Sequence, residues 1–493
     1  MALNSYVTAD GLEMGRAQAM QAQAAGIEPE ADMNPILLKP NSDTGSQVIV
    51  NGRIYGDLTA RAYFAEKKKL IPVILEAWRR LEQKYDTIVI EGAGSPAEIN
   101  LKEDDIVNMG LAELVDAPVI LAADIDRGGV FAQIYGTVML LPEDERRRIR
   151  GIIINKFRGD VSLLAPGIRQ IEELSHIPVI GVMPYLHLDI DDEDSLSERL
   201  FRCDGDSPVK IAVIRFPHLS NYTDFAPLEA EEMVSLTYSE RPEEVSGADV
   251  IILPGSKNTG ADLEWLKTRG LDTVLRRRSA EGVPVLGICG GYQMLGETLV
   301  LENGEELKGI GLLPVCTEFE DSKTTRQVWG RTLTPEENSR FAGIGNSGVS
   351  GYEIHMGRTY FICRKNGNLI STPADAETNN MPAPGLASDV STPAAFARLI
   401  TADGMTVTDG CILDNVLGTY IHGLFDEDSF RENFLRMICA GKGIAYTSSG
   451  EGRRVYREAQ YDALADAVEQ YIDMDRVLEI MNTSTSDELN NGL

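Results

Sequence analysis

The sequence predicts an α/β fold in two domains, and three observations support this prediction. First, four apolar runs alternate with charged, helix-like stretches between residues 86 and 184, as in a parallel sheet covered by helices on both faces. Second, an acidic stretch at 189–199 and a polar one at 203–208 interrupt this rhythm, which is typical of a solvated linker. Third, the apolar runs resume at Val209, which indicates a second α/β domain.

Composition limits the class of protein. The 493 residues are 43% hydrophobic, as expected of a globular protein with two to four domains. The net charge of −30 argues against nucleic acid and anionic membranes as main partners, because both are polyanions. The six cysteines lack C-x-x-C spacing, and neither a signal peptide nor a membrane-length apolar run is visible. Reduced thiols in the cytoplasm are therefore expected.

The first domain, predicted over 1–205, takes its strands from four apolar runs. These are DTIVIEGAG (86–94), APVILAADI (117–125), GIIINKF (151–157) and IPVIGVMP (177–184). Charged stretches between them, such as LPEDERRRIR, have the composition of surface helices.

The second domain, predicted over 209–441, begins with VKIAVIRFP and continues with ADVIILPGS and VPVLGI. A stretch at 364–396 lacks apolar periodicity and is predicted to be a surface insertion. Beyond 441, YDALADAVEQYIDMDRVLEIM (461–481) has the 3.6-residue pattern of one closing helix. The last dozen residues, up to 493, are polar and expected to fray.

A lone cysteine, Cys289, lies between a predicted buried strand and a predicted helix. Gly287 and Gly291 flank it with the G-x-nucleophile-x-G spacing of a tight strand-to-helix turn. The first N–H groups of a helix lack partners and the helix dipole is positive there, which makes the sulfur a better nucleophile. Most free cysteines are small core residues, but the two glycines and a histidine downstream favour catalysis here.

A nucleophile for acyl transfer needs a base and donors for the oxyanion. His422, in GTYIHGLF, follows an apolar strand and precedes a glycine, which predicts an imidazole facing a cleft. The N–H of Gly290 follows the nucleophile directly, and the LPGS turn offers a second donor from Gly255 or Ser256. A histidine at a strand end is more often structural than catalytic, so spacing alone leaves the role of His422 open.

Four segments, in chain order, resemble a known family: LPGSKNT, LGICGGYQMLG, GYEIHMGRT (351–359) and GTYIHGLF. They are similar to the glutamine amidotransferase domain of the cobyric acid synthase family, in the cobalamin branch of the class I amidotransferases. The resemblance implies a flavodoxin-like domain in which Cys289 attacks the carboxamide of L-glutamine, forms a thioester and releases ammonia. It also implies that His422 shuttles the protons.

The sequence departs from the wider class I pattern at one position. Class I enzymes commonly carry a glutamate two residues after the histidine, and this chain has Leu424 there. The resemblance implies that the cobalamin branch shares this departure. The sequence therefore predicts a cysteine and histidine pair without its usual orienting carboxylate, and it does not name the group that holds the ring of His422.

The segments before the linker resemble the synthetase half of the same family. They are NSYVTADGLEMGRAQAMQAQAAG (4–26), NPILLKP (34–40), EGAGSPAEINL (91–101) and ADIDRGGVFA (123–132). Taken alone, the EGAG turn and the NK pair at 155–156 most often mark loops without function. Together, the matches cover nearly all of residues 1–440 outside the predicted insertion.

The resemblance implies a P-loop-NTPase-like parallel sheet and an ATP-dependent ligase that acts on a corrinoid. In the family, ATP with Mg²⁺ phosphorylates the b, d, e and g side-chain carboxylates of adenosylcobyrinic acid a,c-diamide, and ammonia displaces phosphate to give adenosylcobyric acid. Asp10 and Glu91 match metal carboxylates, and Glu91 is expected at the end of a buried strand. Asn155 and Lys156 match a position that contacts the nucleotide. Asp105 matches an acidic position that activates the substrate or deprotonates ammonia.

The family's synthetase half begins with a strand and a Walker A loop, but no GxxxxGK[ST] motif occurs in the 493 residues. The chain opens at MALNSYVT, where the family motif continues from an upstream segment of roughly forty residues, one strand–loop–helix unit. The first strand and the Walker A loop are therefore expected to be missing, through truncation or through loss of ordinary ATP binding. Such a chain is expected to hydrolyse glutamine weakly at best and not to make cobyric acid.

Two alternatives stay open. The first is the sister enzyme, cobyrinic acid a,c-diamide synthase, which GYEIHMGRT and ADIDRGG fit less well. The second is a corrinoid-binding or glutamine-binding protein without ligase activity, favoured only by the absent phosphate loop. The expected partners are L-glutamine and a corrinoid, without nucleic acid or membrane.

Overall fold

The computed structural model describes residues 3–40, 45–102, 104–190, 207–337, 339–365, 368–373, 393–448, 450 and 452–482. Within these ranges, no helix is both long enough and apolar enough to cross a membrane. Most of the predicted linker, at 191–206, and the polar end of the chain, at 483–493, lie outside the described residues.

The chain forms two compact units. The first unit combines residues 1–59 with 191–456, and the second combines residues 60–190 with 457–493. Each unit therefore takes its chain from two separate stretches. The domain bounds proposed above follow sequence patterns and stay predictions.

The strands of the described residues are short except for two. In chain order they are β1 (Ser5–Val7), β2 (Glu13–Gly15), β3 (Ile36–Pro40), β4 (Gly45–Val50), β5 (Arg53–Thr59), β6 (Val119–Asp124), β7 (Ile149–Phe157), β8 (Val179–Pro184), β9 (Val209–Ile214), β10 (Leu219–Ser220), β11 (Val234–Ser239), β12 (Val250–Leu253), β13 (Gly255–Ser256), β14 (Val285–Ile288), β15 (Thr298–Val300), β16 (Glu306–Lys308), β17 (Val315–Thr332), β18 (Gly348–Lys365), β19 (Asn368–Pro373), β20 (Ala397–Thr401), β21 (Thr406–Asp409), β22 (Cys411–Leu413), β23 (Val416–Thr419) and β24 (Ile421–His422).

The α-helices follow the same numbering in chain order. They are α1 (Arg16–Ala24), α2 (Ala60–Glu66), α3 (Ile71–Glu82), α4 (Met109–Leu114), α5 (Val130–Leu140), α6 (Glu143–Arg146), α7 (Ala165–Ser175), α8 (Ala226–Glu229), α9 (Pro242–Ser246), α10 (Thr259–Thr268), α11 (Leu271–Ala280), α12 (Gly290–Leu295), α13 (Asp428–Gly441), α14 (Arg453–Tyr471) and α15 (Met474–Met481).

The first unit is built around a six-stranded sheet in the order β11-β9-β12-β14-β23-β22. The first five strands are parallel, and β22 runs antiparallel to β23. All four residues of β12 are buried, and Leu263, Leu275 and Phe434 from three helices share their core. Continuous apolar runs of this kind are typical of parallel strands covered on both faces. The predicted α/β domain after Val209 is confirmed.

An antiparallel sheet in the same unit positions the predicted histidine. Its strands β17 and β18 each span 18 residues and pair along most of their length. The short strand β24 pairs with β18 so that His422 lies opposite Tyr352. The strand pairing thus fixes the backbone of His422 just beyond the end of β23.

The N-terminal stretch packs in the unit of Cys289. Strands β1 and β2 form one hairpin, and β3, β4 and β5 form an antiparallel sheet. The hydroxyl of Tyr352 donates a 2.7 Å hydrogen bond to the carbonyl of Ser5. The buried carboxylate of Glu13 pairs with Lys39 and Lys323. These contacts connect the segment that resembles a synthetase motif to strands β17 and β18.

The second unit contains a parallel sheet in the order β6-β7-β8. Helices α5 and α7 pack on it, because Ile134 and Ile171 share a core with Ile152 and Ile154 of β7. Three of the four predicted runs in this region therefore form the expected parallel strands.

The remaining predicted run, at 86–94, is not a strand, and that prediction is wrong. Its residues pair with no strand among those described, and the side chain of Val89 is 90% exposed. Strand β6 pairs only with β7 in the described part of the chain. An apolar run becomes a strand only when neighbouring backbone completes its hydrogen-bond ladder. Glu91 consequently lies in an exposed loop rather than at the end of a buried strand.

Two other elements differ from the sequence prediction. The single helix predicted at 461–481 is two helices, α14 and α15, because the chain breaks at Ile472, which bridges to Gly181. The carboxylate of Asp473 then caps α15 by accepting a hydrogen bond from the N–H of Arg476. The predicted insertion at 364–396 includes strand β19, paired with β18, whereas residues 374–392 lie outside the described residues.

Candidate active site

Cys289 lies at a strained turn between β14 and α12. Its φ is +52° and its ψ is −109°. Residues other than glycine rarely adopt this backbone conformation, which is typical of a nucleophile turn. The turn is also tightly packed, since a Cβ added to Gly291 would lie 2.0 Å from the carbonyl oxygen of Leu253. Glycine at 291 therefore lets α12 begin directly against β12.

The backbone and the sulfur of Cys289 are both held in place. Its N–H donates a 2.8 Å hydrogen bond to the carbonyl of Thr419, which continues the pairing of β14 with β23. Its Sγ lies 3.6 Å from the carbonyl oxygen of Ile354 and is buried with only 8% of the residue exposed. Its side chain also lies near enough to His422 to help raise the pKa of that ring.

An aspartate holds the ring of His422. The Nδ1 atom of His422 lies 2.7 Å from Oδ2 of Asp224, and the two side chains are 1% and 3% exposed. The other carboxylate oxygen accepts a 3.0 Å hydrogen bond from the N–H of Gly423. Both oxygens of Asp224 therefore act on the segment that carries the histidine, and the pair predicted to lack an orienting carboxylate has one.

Charge and burial have opposite effects on His422. Burial lowers the pKa of the imidazole, but the charge and hydrogen bond of Asp224, with a smaller effect from Cys289, raise it to about 10. The ring is therefore an imidazolium at neutral pH, with the sulfur of Cys289 among the groups that raise its pKa. This arrangement suits Cys289 as a nucleophile and His422 as an acid–base group. Asp224 then serves as the group that orients the histidine.

The strand pair β10 and β13 directs the N–H of Ser256. The N–H of Lys257 binds the carbonyl of His218 at 3.0 Å, and Ser256 lies opposite Leu219. Since hydrogen-bonded and non-bonded pairs alternate along antiparallel strands, the N–H of Ser256 points away from β10.

The same strand lies close to both the nucleophile turn and the histidine. A Cβ built on Gly290 would lie 2.9 Å from the backbone nitrogen of Ser256, and one on Gly255 would lie 3.4 Å from Cε1 of His422. Gly290 is also the first residue of α12, where N–H groups have no partner within the helix. The structure thus brings Gly255, Ser256 and Gly290 together with Cys289 and His422.

The second histidine of this region, His355, is differently placed. Its ring stacks on Tyr420 with 3.7 Å between centroids, and its Nδ1 lies 3.1 Å from the carbonyl oxygen of Gly357. Burial lowers the pKa of His355 to about 3, so the ring is neutral. A neutral, stacked ring shapes the wall of the site.

The predicted synthetase residues are divided between the two units. Asp10 lies exposed in the first unit and accepts a hydrogen bond from Thr8, whereas Glu91, Asp105 and the NK pair lie in the second. The loop after Glu91 is clamped by Asn108, whose carboxamide accepts from the N–H of Ala93 at 2.9 Å and donates to its carbonyl at 3.0 Å.

Asp105 accepts three backbone hydrogen bonds, from the N–H groups of Val107, Asn108 and Gly110 at 2.9 to 3.1 Å. Burial raises the pKa of its carboxyl, and these three bonds lower it by more. The carboxylate therefore stays ionised and shapes the turn before α4, which also positions the clamp on the loop of Glu91.

The NK pair ends strand β7 beside a carboxylate. Asn155 lies opposite Asp124 in the register with β6, and Nζ of Lys156 lies 2.9 Å from Oδ2 of Asp124. The side chain of Asn155 accepts from the N–H of Lys156, whose φ is +61°. Both residues are exposed, so this strand end is open to a ligand.

Two family models match the chain, one in each part of the sequence. The first describes a CobB/CobQ-like glutamine amidotransferase domain and matches residues 210–430. The second describes an AAA domain, a nucleotide-binding P-loop fold, and matches residues 21–191. The predicted pairing of a P-loop-NTPase-like domain with a glutamine amidotransferase domain is confirmed.

Several relatives are similar over nearly the whole chain. A cobyric acid synthase of Ruminiclostridium cellulolyticum is 47% identical over 98% of this chain and 89% of its own length. One of Lachnoclostridium phytofermentans is 47% identical over 98% of this chain and 91% of its own. A solved glutamine amidotransferase covers 48% of this chain and 99% of its own, at 16% identity and a TM-score of 0.31, a likeness too weak for an argument. On the strength of the sequence relatives and of both matched domains, the chain belongs to the cobyric acid synthase family.

Proposed function

We propose that this protein forms amides in cobalamin biosynthesis, with glutamine as nitrogen donor and ATP as the activating reagent. The proposed substrate is adenosylcobyrinic acid a,c-diamide, amidated at its b, d, e and g carboxylates to give adenosylcobyric acid. Membership of the family supports the overall reaction. The observation that carries the glutamine half is the constellation of Cys289, His422 and Asp224.

In the glutaminase half, the thiolate sulfur of Cys289 adds to the carboxamide carbon of glutamine. The negative charge that develops on the carbonyl oxygen is stabilised by the N–H groups of Gly290 and Ser256. The imidazolium of His422 gives its proton to the departing nitrogen, which leaves as ammonia, and a thioester remains. Neutral His422 then takes a proton from water, whose attack on the thioester releases glutamate and restores the thiolate beside the imidazolium.

Asp224 performs two tasks in this scheme. It keeps the Nε2 edge of the ring turned toward the sulfur, because Nδ1 is tied to its carboxylate. It also stabilises the positive charge of the ring while the thiolate is present.

In the synthetase half, a corrinoid carboxylate displaces ADP from ATP to give an acyl phosphate. Ammonia then displaces phosphate, and the amide forms. ATP supplies the leaving group that a carboxylate lacks. We assign contact with the nucleotide to Asn155 and Lys156 at the open end of β7. We assign activation of the substrate to Asp105. Asp10 and Glu91 are proposed as the carboxylates that act near the phosphates.

The described side chains do not by themselves make up a magnesium site. No group of three or more His, Cys, Asp or Glu residues in the described ranges is placed to hold a metal ion. Asp10 and Glu91 are moreover single exposed carboxylates in different units. Mg²⁺, bound with ATP, would neutralise charge on its phosphates.

The test is to replace Cys289 by alanine and to measure two activities. Glutamine hydrolysis should be abolished, whereas amidation of the a,c-diamide at saturating ammonium should be retained in an intact enzyme, because the nucleophile serves only to release ammonia. Cys316→Ala is the matched control, since Cys316 is a free cysteine on β17. Loss of both activities in a folded Cys289→Ala protein would contradict the two-site scheme.

The same experiment separates this proposal from its alternatives. Mass spectrometry of the product counts the amides added. Four new amides on the a,c-diamide support the proposal, and amides at a and c on cobyrinic acid itself would indicate the sister synthase. Glutamine hydrolysis without any amide product, even with ammonium supplied, would indicate a form that has lost ligase activity.

A further inference from the structure

A fully buried carboxylate lies next to the strand that holds the candidate oxyanion donor. Asp262, in the first turn of α10, has a side chain that is 0% exposed. Its Oδ2 accepts a 2.6 Å hydrogen bond from the hydroxyl of Ser256. Its Oδ1 lies 2.7 Å from Nδ1 of His218 and accepts a 3.3 Å hydrogen bond from the N–H of the same residue. One carboxylate therefore connects β13 to the residue just before β10.

The hydroxyl of Ser256 has its orientation fixed from two sides. It donates to Asp262 and accepts a 3.0 Å hydrogen bond from the N–H of Asn258. Asn258 in turn caps α10 by accepting from the N–H of Ala261 at 3.2 Å. The side chain of Ser256 is thus anchored to the start of a helix, while its own N–H points away from β10.

A carboxylate is an expensive group to bury at this position. Removal from water disfavours a charged side chain unless it is paired and hydrogen-bonded. Burial accordingly raises the pKa of Asp262, although the bonds from Ser256 and His218 act in the opposite direction. Hydrogen bonds to a charged acceptor are shorter and stronger than neutral ones, and therefore hold a donor more tightly.

We propose that Asp262 is a positioning residue of the glutaminase: it holds Ser256, and through it the Ser256 N–H, at the place where the oxyanion of the tetrahedral intermediate forms. The inference rests on the proposed function, because it concerns the same hydrolysis of glutamine. Removing one oxyanion donor typically costs about 10²–10³ in kcat, so loosening a donor that is still present is expected to cost about 10-fold to 10²-fold.

The test compares Asp262→Asn with Glu264→Gln, a neutralised carboxylate on the exposed side of the same helix. In Asp262→Asn, kcat for glutamine hydrolysis should fall by about 10-fold to 10²-fold with KM changed by less than about threefold, because the donor acts on the intermediate rather than on bound glutamine. Alkylation of Cys289 by iodoacetamide should keep its rate within about twofold, since that substitution forms no oxyanion. Glu264→Gln should change neither quantity.

A second variant keeps the inference testable if Asp262→Asn folds poorly. Ser256→Ala removes the same hydrogen bond from the other end, and should show the same loss of kcat with normal alkylation. If the two residues act through the same hydrogen bond, kcat of the double variant should be no lower than that of the more impaired single variant.

Three results would overturn the inference. An unchanged kcat in both variants would show that the hydrogen bond does not position the donor. An equal loss of turnover and of alkylation would show a general disturbance of the site. A wild-type chain that is alkylated at Cys289 but hydrolyses no glutamine would contradict the proposed function itself, and this inference with it.

Discussion

The residue that most strongly sets the chemistry of the site is Asp224, since it decides the charge of His422. Its carboxylate raises the pKa of the ring to about 10 against the opposing effect of burial. The ordinary value is 6.5, so the folded state binds this proton more tightly than the unfolded state does. The resulting stabilisation is fully present below about pH 6.5 and is lost as the pH rises through about 10.

We expect Asp224→Asn to lower kcat for glutamine hydrolysis by about 10²-fold to 10⁴-fold, because the ring loses its orientation and its counter-charge. The pKa of His422 should also fall, so the alkaline limb of the pH profile should move to lower pH. Both are read from kcat measured between pH 6 and 11. Glu232→Gln, an exposed neutralised carboxylate, serves as control. An unshifted alkaline limb would contradict the assigned pairing.

The two histidines near Cys289 should differ in their effect on turnover. His422→Asn should reduce kcat by about 10²-fold to 10⁴-fold, the usual value of general acid–base catalysis. His355→Asn should cost less, because His355 is neutral and stacks on Tyr420. The opposite ranking, measured by glutamine hydrolysis at one pH, would show that the acid–base role belongs to His355.

Sequence reasoning found the residues of the site that follow a local pattern. The glycines around Cys289 and the strand end before His422 are such patterns, and the structure brings these residues together. Asp224 was missed because it precedes His422 by 198 positions and lies in a short turn after Asn221, whose φ is +52°. No spacing rule connects the two segments. Only the fold does.

At the scale of secondary structure elements, the active site depends on how closely α12 approaches β12 and β23. A Cβ on Gly291 would meet Leu253, and one on Gly418 would lie 1.9 Å from the ring of Tyr292. Real Cβ atoms do not reach such distances, so these two positions require glycine. The helix that begins at the nucleophile is thereby held against the sheet.

Gly291→Ala should lower the free energy of unfolding by at least about 1–3 kcal/mol, the usual cost of overpacking a core. Gly136→Ala is the matched control, because Gly136 lies within α5 and an added Cβ would meet nothing within 4 Å. That change should instead raise stability by about 0.5–1 kcal/mol, the difference in helix propensity. Urea unfolding measures both, and a stable Gly291→Ala protein would contradict the close approach.

The elements also show where apolar pattern fails as a guide. The runs that became β6, β7 and β8 have paired neighbours, whereas 86–94 has the same composition and is not a strand. The apolar composition of a segment indicates whether its burial would be favourable. It does not indicate whether a neighbouring strand is available to form hydrogen bonds with its backbone. For the same reason the break between α14 and α15 was not predicted, since it depends on a bridge from Ile472 to a distant strand.

At the scale of the whole molecule, the central strands of the two compact units differ in how completely they are buried. Strands β9, β12 and β14 of the first unit are almost completely buried, whereas no residue of β6 in the second unit is fully buried. A sheet with less buried apolar surface opens at lower free energy.

Hydrogen exchange in increasing urea should therefore distinguish the units. The amides of β6 and β7 should exchange through an opening that appears at lower urea than that of β12 and β14. Glutamine hydrolysis should survive this first opening, because Cys289, His422 and Asp224 all lie in the first unit. Simultaneous exchange of all four strands would show a single cooperative transition instead.

The placement of residues 1–59 in the unit of Cys289 has a consequence for gene dissection. An expression fragment beginning at 209 would carry the proposed catalytic residues Cys289, His422 and Asp224. It would leave Lys323, which is largely buried, without the carboxylate of Glu13. It would also remove the carbonyl that binds Tyr352, whose ring stacks on His422. A split of the gene at the linker would therefore separate the unit of Cys289 from residues 1–59, which pack in it. Two polypeptides could replace the single chain only if residues 1–59 were expressed as part of the second one.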